Sequence, residues 1–457
     1  MNINARRVLA IILISAFIIG APLLILYTSG YRYSFKKQKV STAGSLVLET
    51  EPRGAFVEIE ELDDNFTTPI RINNLQENTY NVKISKDGYF SWNKNLKVVS
   101  MLTTFAEDII LYKDEAPNQI LEETILNPQS LPDQTGFTFL EQNAFYNYFN
   151  TYNFEQADYI NYLRLAKSES IDKQLWSLDN NYLLIEIRDT KTDTLSHKVI
   201  SRNSPENKIQ LDKNFNNSPI SIRWSNTQDN ILYIKSQNTI FEGTINGPTF
   251  SLKELYKFPT SQKILDYIVH NENIYFLEDN NSFWLNKIST TSDKNENLQN
   301  KIELNSSTFV IKDIVTDKII LKDLLKNETY FINLDLDNIL IKKKGLLGYE
   351  YNKKTNQLLT WNSSEISITN FNKYPFTDQI LIRVSNGIRN AFWMDTANYI
   401  AYSLGEEIKI VELDDRDSKI IWTTQAQNVR NIFTDTTKEN IYYTDNENSK
   451  LWKINLQ

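Results

Sequence analysis

The fold is decided by a short apolar segment that recurs seven times: LLIE (183–186), ILYI (231–234), IYFL (274–277), IILK (319–322), LLTW (358–361), IAYS (400–403) and IYYT (441–444). The successive starts lie 48, 43, 45, 39, 42 and 41 residues apart. Each segment is followed by a polar turn and a second alternating strand, as in TIFEGTI (239–245). A period of about 40–45 residues with several strands per unit is typical of β-propeller blades. The repeat over 171–457 therefore predicts a β-propeller of seven blades, with eight as the alternative because 137–170 could form one more.

Closure of the ring requires a strand from outside the repeat. One blade cannot bury both faces of its sheet, whereas blades packed around an axis can, and a closed ring leaves no long free edge. The seventh unit reaches Gln457 after what reads as its third strand. We therefore expect the segment 116–170, otherwise read as a linker, to supply the closing strand.

The N-terminal region, residues 1–40, contains a candidate membrane span. Val8 to Tyr27 reads VLAIILISAFIIGAPLLILY, which is 20 residues without a charge. A helix needs about 20 apolar residues to cross a bilayer. Tyr31 and Tyr33 follow where an aromatic belt would lie. We predict one uncleaved transmembrane helix; the alternative, a cleaved signal peptide, would have a shorter apolar region and a better cleavage site than Thr28-Ser29-Gly30.

Charge and composition exclude several functions. Residues 1–40 carry six cations and no carboxylate, and the remainder carries 43 Lys and Arg against 57 Asp and Glu, a net charge of −14. A body this acidic repels phosphate backbones, so we predict no nucleic-acid partner, while the basic end suits anionic lipid headgroups. The chain has no cysteine, which excludes disulfides, thiolate catalysis and cysteine-based metal sites.

Residues 41–115 read as a run of short strands separated by turns. One alternating strand places Ala55, Val57 and Ile59 on one face, and another places Tyr80, Val82 and Ile84 inward. The turns are marked by Glu51-Pro52-Arg53-Gly54 and by Asp87-Gly88. This pattern predicts a small β-sandwich that precedes the propeller.

Three motifs in this region resemble the PEGA family. Pro52-Arg53-Gly54-Ala55, Thr68-Pro69 and Lys86-Asp87-Gly88-Tyr89 match the family pattern in order and spacing. The family's Gly-x-Tyr turn is replaced by Glu77-Asn78-Thr79-Tyr80, where Asn78 tolerates a left-handed conformation. The resemblance implies a membrane-tethered bacterial envelope protein and no catalysis. We interpret the motif residues as structural, with ligand contact as the alternative: Pro52, Gly54, Ala55, Thr68, Pro69, Gly88 and Tyr89.

The orientation of the helix is open to two interpretations. Two arginines precede the span and four cations follow it (Arg32, Lys36, Lys37 and Lys39), so that cations alone favour a cytoplasmic C-terminal side. We nevertheless expect the N-terminus in the cytoplasm and the C-terminal domain outside it. The reasons are that the body shows no pattern of cytosolic chemistry and that the family resemblance points outward. A cytosol-facing scaffold is the alternative.

Aromatic and amide residues are dense in NAFYNYFNTYNFEQADYINY, residues 143–162. Such side chains suit contacts with sugars or with proteins. The candidate recognition surface consists of Phe145, Tyr146, Tyr148, Phe149 and Tyr152. The alternative is that these residues pack in the interior between the small domain and the propeller.

No pattern for catalysis, cofactor binding or metal binding is found in the sequence. The two histidines, His197 and His270, lie in or beside predicted strands, so we expect both to be structural. Glycine-rich nucleotide loops, nucleophile elbows and zinc spacings do not occur. Three acidic turns (335–338, 414–417 and 445–448) could hold calcium, but we expect solvated turns.

The sequence thus predicts a membrane-anchored, non-enzymatic envelope protein that presents a β-propeller for binding or scaffolding. The expected partners are the lipid bilayer and either an envelope protein or a cell-wall polymer. The alternative is a surface glycan hydrolase with a carboxylate pair in the propeller channel, since the spacing that such a pair needs is spatial.

Overall fold

The structure, a computed structural model, describes residues 3–28, 31–34, 39–60, 62, 64–216, 218–279, 282–290, 301–304, 308–335, 339–372, 374–394 and 398–457. Helix α1 (Ile3–Thr28) runs without interruption through Pro22. Its segment Arg7–Thr28 is long and apolar enough to cross a membrane, and none of it is buried against the rest of the protein. A helix of this kind near the N-terminus fits a membrane anchor and also a signal sequence.

Two facing sheets follow the helix. Their eight strands are β1 (Tyr31–Ser34), β2 (Lys39–Glu51), β3 (Phe56–Ile59), β4 (Phe66–Thr67), β5 (Ile70–Gln76), β6 (Asn78–Ser85), β7 (Trp92–Val98) and β8 (Thr103–Ile110). In the first sheet, β2 pairs with β1, with β5 and, in parallel, with β8. The second sheet has the order β4-β3-β6-β7. The predicted inward residues of β3 and β6 are buried between the sheets, which confirms the β-sandwich.

The described residues after the sandwich form four-stranded antiparallel sheets, which we number 1 to 8. The strands of sheets 1 to 4 are β10 (Leu126–Ser130), β11 (Gly136–Gln142), β12 (Tyr146–Asn153), β13 (Asp158–Ala166), β14 (Glu169–Trp176), β15 (Tyr182–Asp189), β16 (Thr194–Ser201), β17 (Lys208–Gln210), β18 (Ile220–Trp224), β19 (Ile231–Ser236), β20 (Thr239–Asn246), β21 (Thr249–Lys257), β22 (Lys263–His270), β23 (Asn273–Asp279), β24 (Phe283–Ser289) and β25 (Lys301–Leu304). A short 3-10 helix, Asp212–Phe215, separates sheets 2 and 3.

Sheets 5 to 8 repeat the same order. Their strands are β26 (Phe309–Val315), β27 (Lys318–Asp323), β28 (Glu328–Asn333), β29 (Ile339–Lys344), β30 (Gly348–Asn352), β31 (Gln357–Trp361), β32 (Glu365–Asn370), β33 (Thr377–Arg383), β34 (Ile388–Trp393), β35 (Tyr399–Leu404), β36 (Glu407–Glu412), β37 (Ile421–Thr423), β38 (Val429–Thr434), β39 (Asn440–Asp445), β40 (Leu451–Asn455) and, in sheet 8, β9 (Asn118–Leu121). Seven sheets are built from four consecutive strands, and sheet 8 takes its fourth strand from before sheet 1.

A hydrophobic cluster fills each junction between neighbouring sheets. Every cluster contains buried side chains from both sheets, for sheets 1 and 2 through to sheets 7 and 8. Sheet 8 also packs on sheet 1, where the rings of Phe433 and Phe137 stack with centroids 5.2 Å apart. Because the eighth junction joins the last sheet to the first, the sheets form a closed ring, a β-propeller.

The sequence repeat predicted seven blades and left an eighth, over 137–170, as an alternative. The seven recurring segments lie in the second strands of sheets 2 to 8, and the further sheet is sheet 1, over 126–166. The expected closing strand is β9, whereas the remainder of 116–170 through Ala166 forms sheet 1 rather than a linker. The segment FTFL (137–140) of β11 lies 46 residues before Leu183 and continues the repeat, but the Asn- and Tyr-rich strands β12 and β13 obscure it.

The sandwich and the propeller share one hydrophobic core. Buried residues of the sandwich pack with buried residues of sheets 7 and 8 in a single cluster. The Tyr112 ring meets Tyr399 and Trp422 edge-on, with centroids 5.4 and 5.8 Å away. The sandwich contacts sheet 7 at its first and third turns and along its outer strand, through Tyr399, Asp414 and Trp422. We call this contact the domain junction.

Candidate functional site

The motif residues of the first turn are tied together by Thr68. Its carbonyl accepts a hydrogen bond from the Gly54 amide at 2.8 Å, and its amide donates to the Ala55 carbonyl at 2.9 Å. Its hydroxyl accepts a hydrogen bond from the Ala55 amide at 3.1 Å and lies 2.5 Å from the Thr50 hydroxyl. Gly54 has φ +75°, a conformation that glycine adopts without strain. These contacts account for Pro52-Arg53-Gly54-Ala55 and Thr68-Pro69 through turn geometry.

The second motif turn lies beside the first. Gly88 has φ +80°, and its carbonyl accepts a hydrogen bond from the Asp114 amide at 2.9 Å. The Lys86 ammonium donates to the Arg53 carbonyl at 2.9 Å. The turn therefore fixes both the first motif and the chain that leaves the sandwich.

The motif turns also border a cleft at the domain junction, with a volume of about 560 Å³. Pro52 and Tyr89 line it, together with one cation, Arg53. The remaining lining residues are Thr50, Glu51, Glu107, Asp108, Ile109, Ile110 and Gln457. A cleft with three carboxylates, one guanidinium and one aromatic ring can accept a polar ligand. The geometry of Pro52 and Tyr89 thus fits a structural role in the turns and also a ligand contact.

The predicted aromatic surface is divided by the fold. Phe145, at the turn between β11 and β12, is 77% exposed, and Tyr146 is exposed with the Arg164 guanidinium 4.6 Å from its ring centroid. Tyr148 is half-buried. Phe149 and Tyr152 are fully buried, on the sides of sheet 1 that face sheet 2 and sheet 8 respectively. The prediction was therefore wrong for Phe149 and Tyr152, because a sheet in a propeller is covered on both faces.

Exposed leucines lie on the same end of the ring as Phe145. Leu324 and Leu325 form the turn between the second and third strands of sheet 5, and Leu325 is 77% exposed. The Asp323 carboxylate fixes this turn by accepting hydrogen bonds from the Leu325 and Lys326 amides. Leu347, also exposed, follows in the adjacent turn, whose Gly345 amide donates to the Asn327 carbonyl at 2.7 Å. We call Leu324, Leu325 and Leu347 the apolar end surface; Phe145 lies at the same end of the ring but apart from these leucines, on sheet 1. Sequence inspection missed the leucines, although K-D-L-L-K (322–326) is a leucine pair in a turn.

Sheets 1 and 5 are opposite each other in the ring. In a ring of eight sheets, sheet 5 is four positions from sheet 1 in either direction. The turns that carry Phe145 and Leu325 both join a second to a third strand, so they lie at the end of the ring opposite the first and third turns. The sandwich contacts the first and third turns of sheet 7. The apolar end surface thus faces away from the domain junction.

The inner strands carry polar residues at bulges that line the channel. Register shifts occur in the first strands of six sheets, β10, β14, β22, β26, β34 and β38. Asp266, Asp313 and Asn390 each accept a hydrogen bond from the next amide in the chain, at 2.9, 2.7 and 2.9 Å. Burial raises the pKa of Asp313. The sequence shows these positions as a recurring pattern, Ile or Val followed two residues later by Asp or Asn: ILDY (264–267), IKDI (311–314), IRNA (388–391) and VRNI (429–432).

Arg223 connects three sheets across this channel. Its Nη2 lies 2.9 Å from Asp266 Oδ2 in sheet 4 and donates to the Ile311 carbonyl of sheet 5 at 2.6 Å. The Ile311 amide in turn donates to the Asp266 carboxylate at 2.8 Å. These hydrogen bonds give the Asp266 carboxylate a structural role, since it joins sheets 3, 4 and 5.

The two histidines have structural partners that the sequence did not indicate. His197 is buried between Asp212 (Nδ1 to Oδ1, 2.7 Å) and Glu186 (Nε2 to Oε2, 3.2 Å). Burial opposes the charge, but the hydrogen bonds to Asp212 and Glu186 outweigh it and raise the pKa of His197 to about 9. The Nδ1 of His270 lies 2.9 Å from Asn226 Oδ1, and burial lowers the pKa of His270. No nucleophile is hydrogen-bonded to either ring among the contacts of the described residues.

Two of the acidic turns have structural roles. Asp417 accepts a hydrogen bond from the Asn95 amide at the domain junction, and Asp414 binds Arg416. Asp445 accepts hydrogen bonds from the Asn448 and Lys450 amides of its own turn. The third turn falls mostly outside the described residues. Within the part of the chain that the structure describes, no three His, Asp or Glu side chains are grouped to hold a metal.

Comparison with known proteins gives one family and a set of structural likenesses. The model of the PEGA domain matches residues 43–107. No curated protein matches the chain. Similar solved structures include the β-propeller domain of Myceliophteria thermophila Cps50 (10% identity, 75% of this chain, 100% of that chain, TM-score 0.38). The WD40 domain of SCAP from fission yeast (10%, 75%, 94%, 0.43) and the Dos1 propeller (10%, 75%, 94%, 0.46) are others.

The β-propeller and the small sandwich domain are assigned from different observations. The β-propeller is assigned from the strand order and the closed ring of hydrophobic clusters. The sandwich has the motif turns, the two-sheet core and the family match in the same residues. The chain therefore carries a PEGA domain at residues 43–107, followed by a β-propeller.

Proposed function

We propose that this protein is a membrane-anchored, non-enzymatic scaffold of the bacterial cell envelope that presents its propeller to a protein partner outside the cytoplasm. The helix α1 supplies the anchor, the PEGA domain joins it to the propeller, and the apolar end surface receives the partner. The support comes from the anchor-like helix, the PEGA match and the propeller.

The observation that carries this proposal is the firmness of the domain junction. The Lys94 ammonium, which is buried, lies 2.8 Å from the Glu412 carboxylate and 3.3 Å from that of Asp414. The Trp92 indole donates to Glu412 at 3.0 Å, and the Tyr399 hydroxyl accepts a hydrogen bond from the Ile110 amide at 3.0 Å. A tether that only had to retain the protein at the membrane would need no such contacts. A fixed orientation is useful where the propeller must meet a partner at a defined angle.

The apolar end surface has the chemistry of a protein-binding face. Apolar side chains on a rigid backbone bury hydrophobic surface on binding at a lower cost in conformational entropy. Phe145 is held by a turn in which the Asn143 side-chain oxygen accepts hydrogen bonds from the Phe145 and Tyr146 amides, at 2.8 and 2.9 Å. Leu325 is held in the same manner by Asp323. The backbone that carries each side chain is therefore fixed.

The experiment is site-specific photo-crosslinking in intact cells. A photoreactive residue is placed at Leu325 or Phe145, and the matched controls place it at Ser363 or Thr192, which are exposed at the corresponding turns of sheets 6 and 2. We expect a discrete protein adduct from the first pair and none from the controls. Equal labelling at all four positions, or adducts to wall glycan only, would reject the protein partner.

The orientation is tested on the same cells. A tag after Gln457 should be removed by external protease once the wall is loosened. Protection of the tag until lysis would place the propeller in the cytoplasm and favour the cytosol-facing scaffold.

A glycan hydrolase is the second candidate, favoured by one observation. Burial raises the pKa values of Asp313 and Glu350, both on inner strands, and a protonated carboxyl group is what a general acid requires. The scaffold proposal expects no release of reducing ends from cell-wall glycan by the full-length protein. Release that disappears in Asp313→Asn or Glu350→Gln would establish the hydrolase instead.

A further inference from the structure

We propose that the turn at residues 99–102 of the PEGA domain, with the side chains of Met101 and Leu102, lies in the headgroup region of the same bilayer that α1 crosses. This second membrane contact would set the tilt of the PEGA domain and of the propeller joined to it. The inference rests on the membrane anchor of the proposed function, and the experiment below distinguishes the two.

The turn lies at the end of the PEGA domain that is nearest to the helix. Strand β1 begins three residues after Thr28, and its first residue, Tyr31, pairs with Thr42 of β2. Three peptide units span at most about 11 Å, and paired residues lie about 5 Å apart, so that Thr42 is within roughly 16 Å of the end of the helix. From Thr42, β2 runs away from the helix into the sandwich.

Backbone hydrogen bonds fix the turn to this end of β2. The Met101 amide donates to the Ala43 carbonyl at 2.9 Å, and the Ser45 amide donates to the Leu102 carbonyl at 3.0 Å. The Ser100 hydroxyl donates to the Thr42 carbonyl at 2.9 Å. The turn therefore cannot move away from the helix end without breaking pairing in β2.

The turn exposes two large apolar side chains. Met101 is 67% exposed and Leu102 is 60% exposed. Met101 also has φ +64°, which costs energy for a residue other than glycine. Exposure of neighbouring apolar side chains at a rigid tip is unfavourable in water. The same side chains become favourable when the tip enters the interfacial region of a bilayer.

The charges around the turn are consistent with a lipid surface. Lys97, exposed near the start of the turn, can bind lipid phosphate. The carboxylate on the same edge is Glu77, in the turn next to Gln76, which pairs with Ala43. Among the side chains that the structure describes here, one cation and one carboxylate leave this tip without the negative charge that characterises the body as a whole. A lipid surface fits better than an acidic protein because the helix already holds the turn close to it.

The test uses the full-length protein in lipid nanodiscs. The natural chain has no cysteine, so Met101→Cys provides a single site for an environment-sensitive fluorophore. Asp87→Cys is the matched control, an exposed turn of the same domain at the far end of β6, about 25 Å away for an eight-residue strand. Ile18→Cys, inside the apolar helix, reports on the anchor. Quenching of the labels at residues 101 and 87 is measured with lipids that carry bromine near the headgroup, and quenching of the label at residue 18 with lipids that carry bromine near the ends of the acyl chains, because residue 18 lies at the middle of the apolar helix.

We expect the label at residue 101 to emit at shorter wavelength and to lose most of its emission to the brominated lipid, while the label at residue 87 is unaffected. A label at residue 101 that behaves like the one at residue 87, with residue 18 quenched, overturns the inference and leaves the anchor intact. An unquenched label at residue 18 rejects the anchor and with it the proposed function. A wavelength shift at residue 101 only in discs that hold two copies assigns the turn to a contact between copies and also overturns the inference.

Discussion

His197 places a positive charge in the interior of sheet 2, between Glu186 and Asp212. Because its pKa is raised from 6.5 to about 9, its ion pairs contribute fully to stability below about pH 6.5, and this contribution is lost as the pH rises through about 9. His197→Gln, which leaves two half-buried carboxylates without a cation, should lower the free energy of unfolding by about 2 kcal/mol at pH 6 and by less at pH 10. Denaturant unfolding at the two pH values measures this difference.

His270 is the internal control, since the chain has only two histidines. Burial lowers its pKa, so that His270→Gln should show no larger effect at pH 6 than at pH 10. NMR of the two imidazole rings should give one titration near pH 9 and one below pH 6.5. Two titrations at or below pH 6.5 would contradict the charged state of His197.

At the level of single residues, the sequence could predict chemistry better than exposure. The sequence correctly shows that residues 143–162 are rich in aromatic side chains. Alternation along β12 does not predict which of them are exposed, because both faces of the sheet are covered by neighbouring sheets. Phe149 faces the core shared with sheet 2, and Tyr152 faces the core shared with sheet 8. Phe145 escapes this double burial because it lies in a turn. The partners of His197 were also beyond prediction, because they come from the preceding strand, β15, and from the helix after β17.

Between elements, strand β7 is attached to sheet 7 by the buried pair of Lys94 and Glu412. Lys94→Met removes the cation and leaves Glu412 buried without its charge partner, which typically costs 3–5 kcal/mol. We expect a fall of about that size in the free energy of unfolding in detergent. Hydrogen exchange should also accelerate at the Asn95 and Ile110 amides, which donate across the domain junction.

Two further variants separate charge burial from a general effect of losing lysine. Lys83→Met, on the adjacent strand, removes a partner of an exposed pair, Lys83 and Glu58 at 3.7 Å, and should cost less than about 1 kcal/mol. The double variant Lys94→Met with Glu412→Gln should recover part of the loss, because no charge then remains unpaired. Equal costs for Lys94→Met and Lys83→Met would contradict a buried pair at the domain junction.

The elements themselves were largely predictable, but their irregularities were not. Strict alternation gave the inward faces of β3 and β6, and the recurring apolar runs gave the second strand of sheets 2 to 8. The bulges of the inner strands interrupt alternation by one residue, so that Asp266 and Asp313 occupy positions that a regular strand would reserve for another face. The Ile-x-Asp/Asn pattern becomes interpretable only when the strands are known to surround a channel.

In the molecule as a whole, the propeller is closed by a pairing between distant parts of the chain. Sheet 1 escaped the repeat because its strands are rich in Asn, Thr and Tyr, yet it occupies one eighth of the ring. The sequence predicted that a strand would close the ring, since an open ring leaves an unpaired edge, and the structure places β9 there. It could not predict that the sandwich buries its core against sheets 7 and 8, because such a contact leaves no periodic signal.

The closing pair gives a test of the complete ring. Leu121 of β9 and Leu451 of β40 are directly paired, at a separation that a disulfide can bridge. In the doubly substituted chain Leu121→Cys, Leu451→Cys, oxidation should close a loop of roughly 330 residues and stabilise the protein by roughly 6 kcal/mol in the chain-entropy model. Thermal unfolding with and without reductant measures the gain.

The matched control closes a short loop between the third and fourth strands of sheet 3. Thr244→Cys with Ser251→Cys joins directly paired residues of β20 and β21 and should give roughly 2–3 kcal/mol in the same treatment, since the gain depends on loop length. Oxidation stabilises the protein more for the first pair than for the control only if residues 121 and 451 are neighbours in the folded protein, and if only non-covalent contacts join them there without the disulfide. If the control pair oxidises and the pair at 121 and 451 does not, β9 is not the closing strand, and sheet 8 must be completed by another part of the chain or left with a free edge.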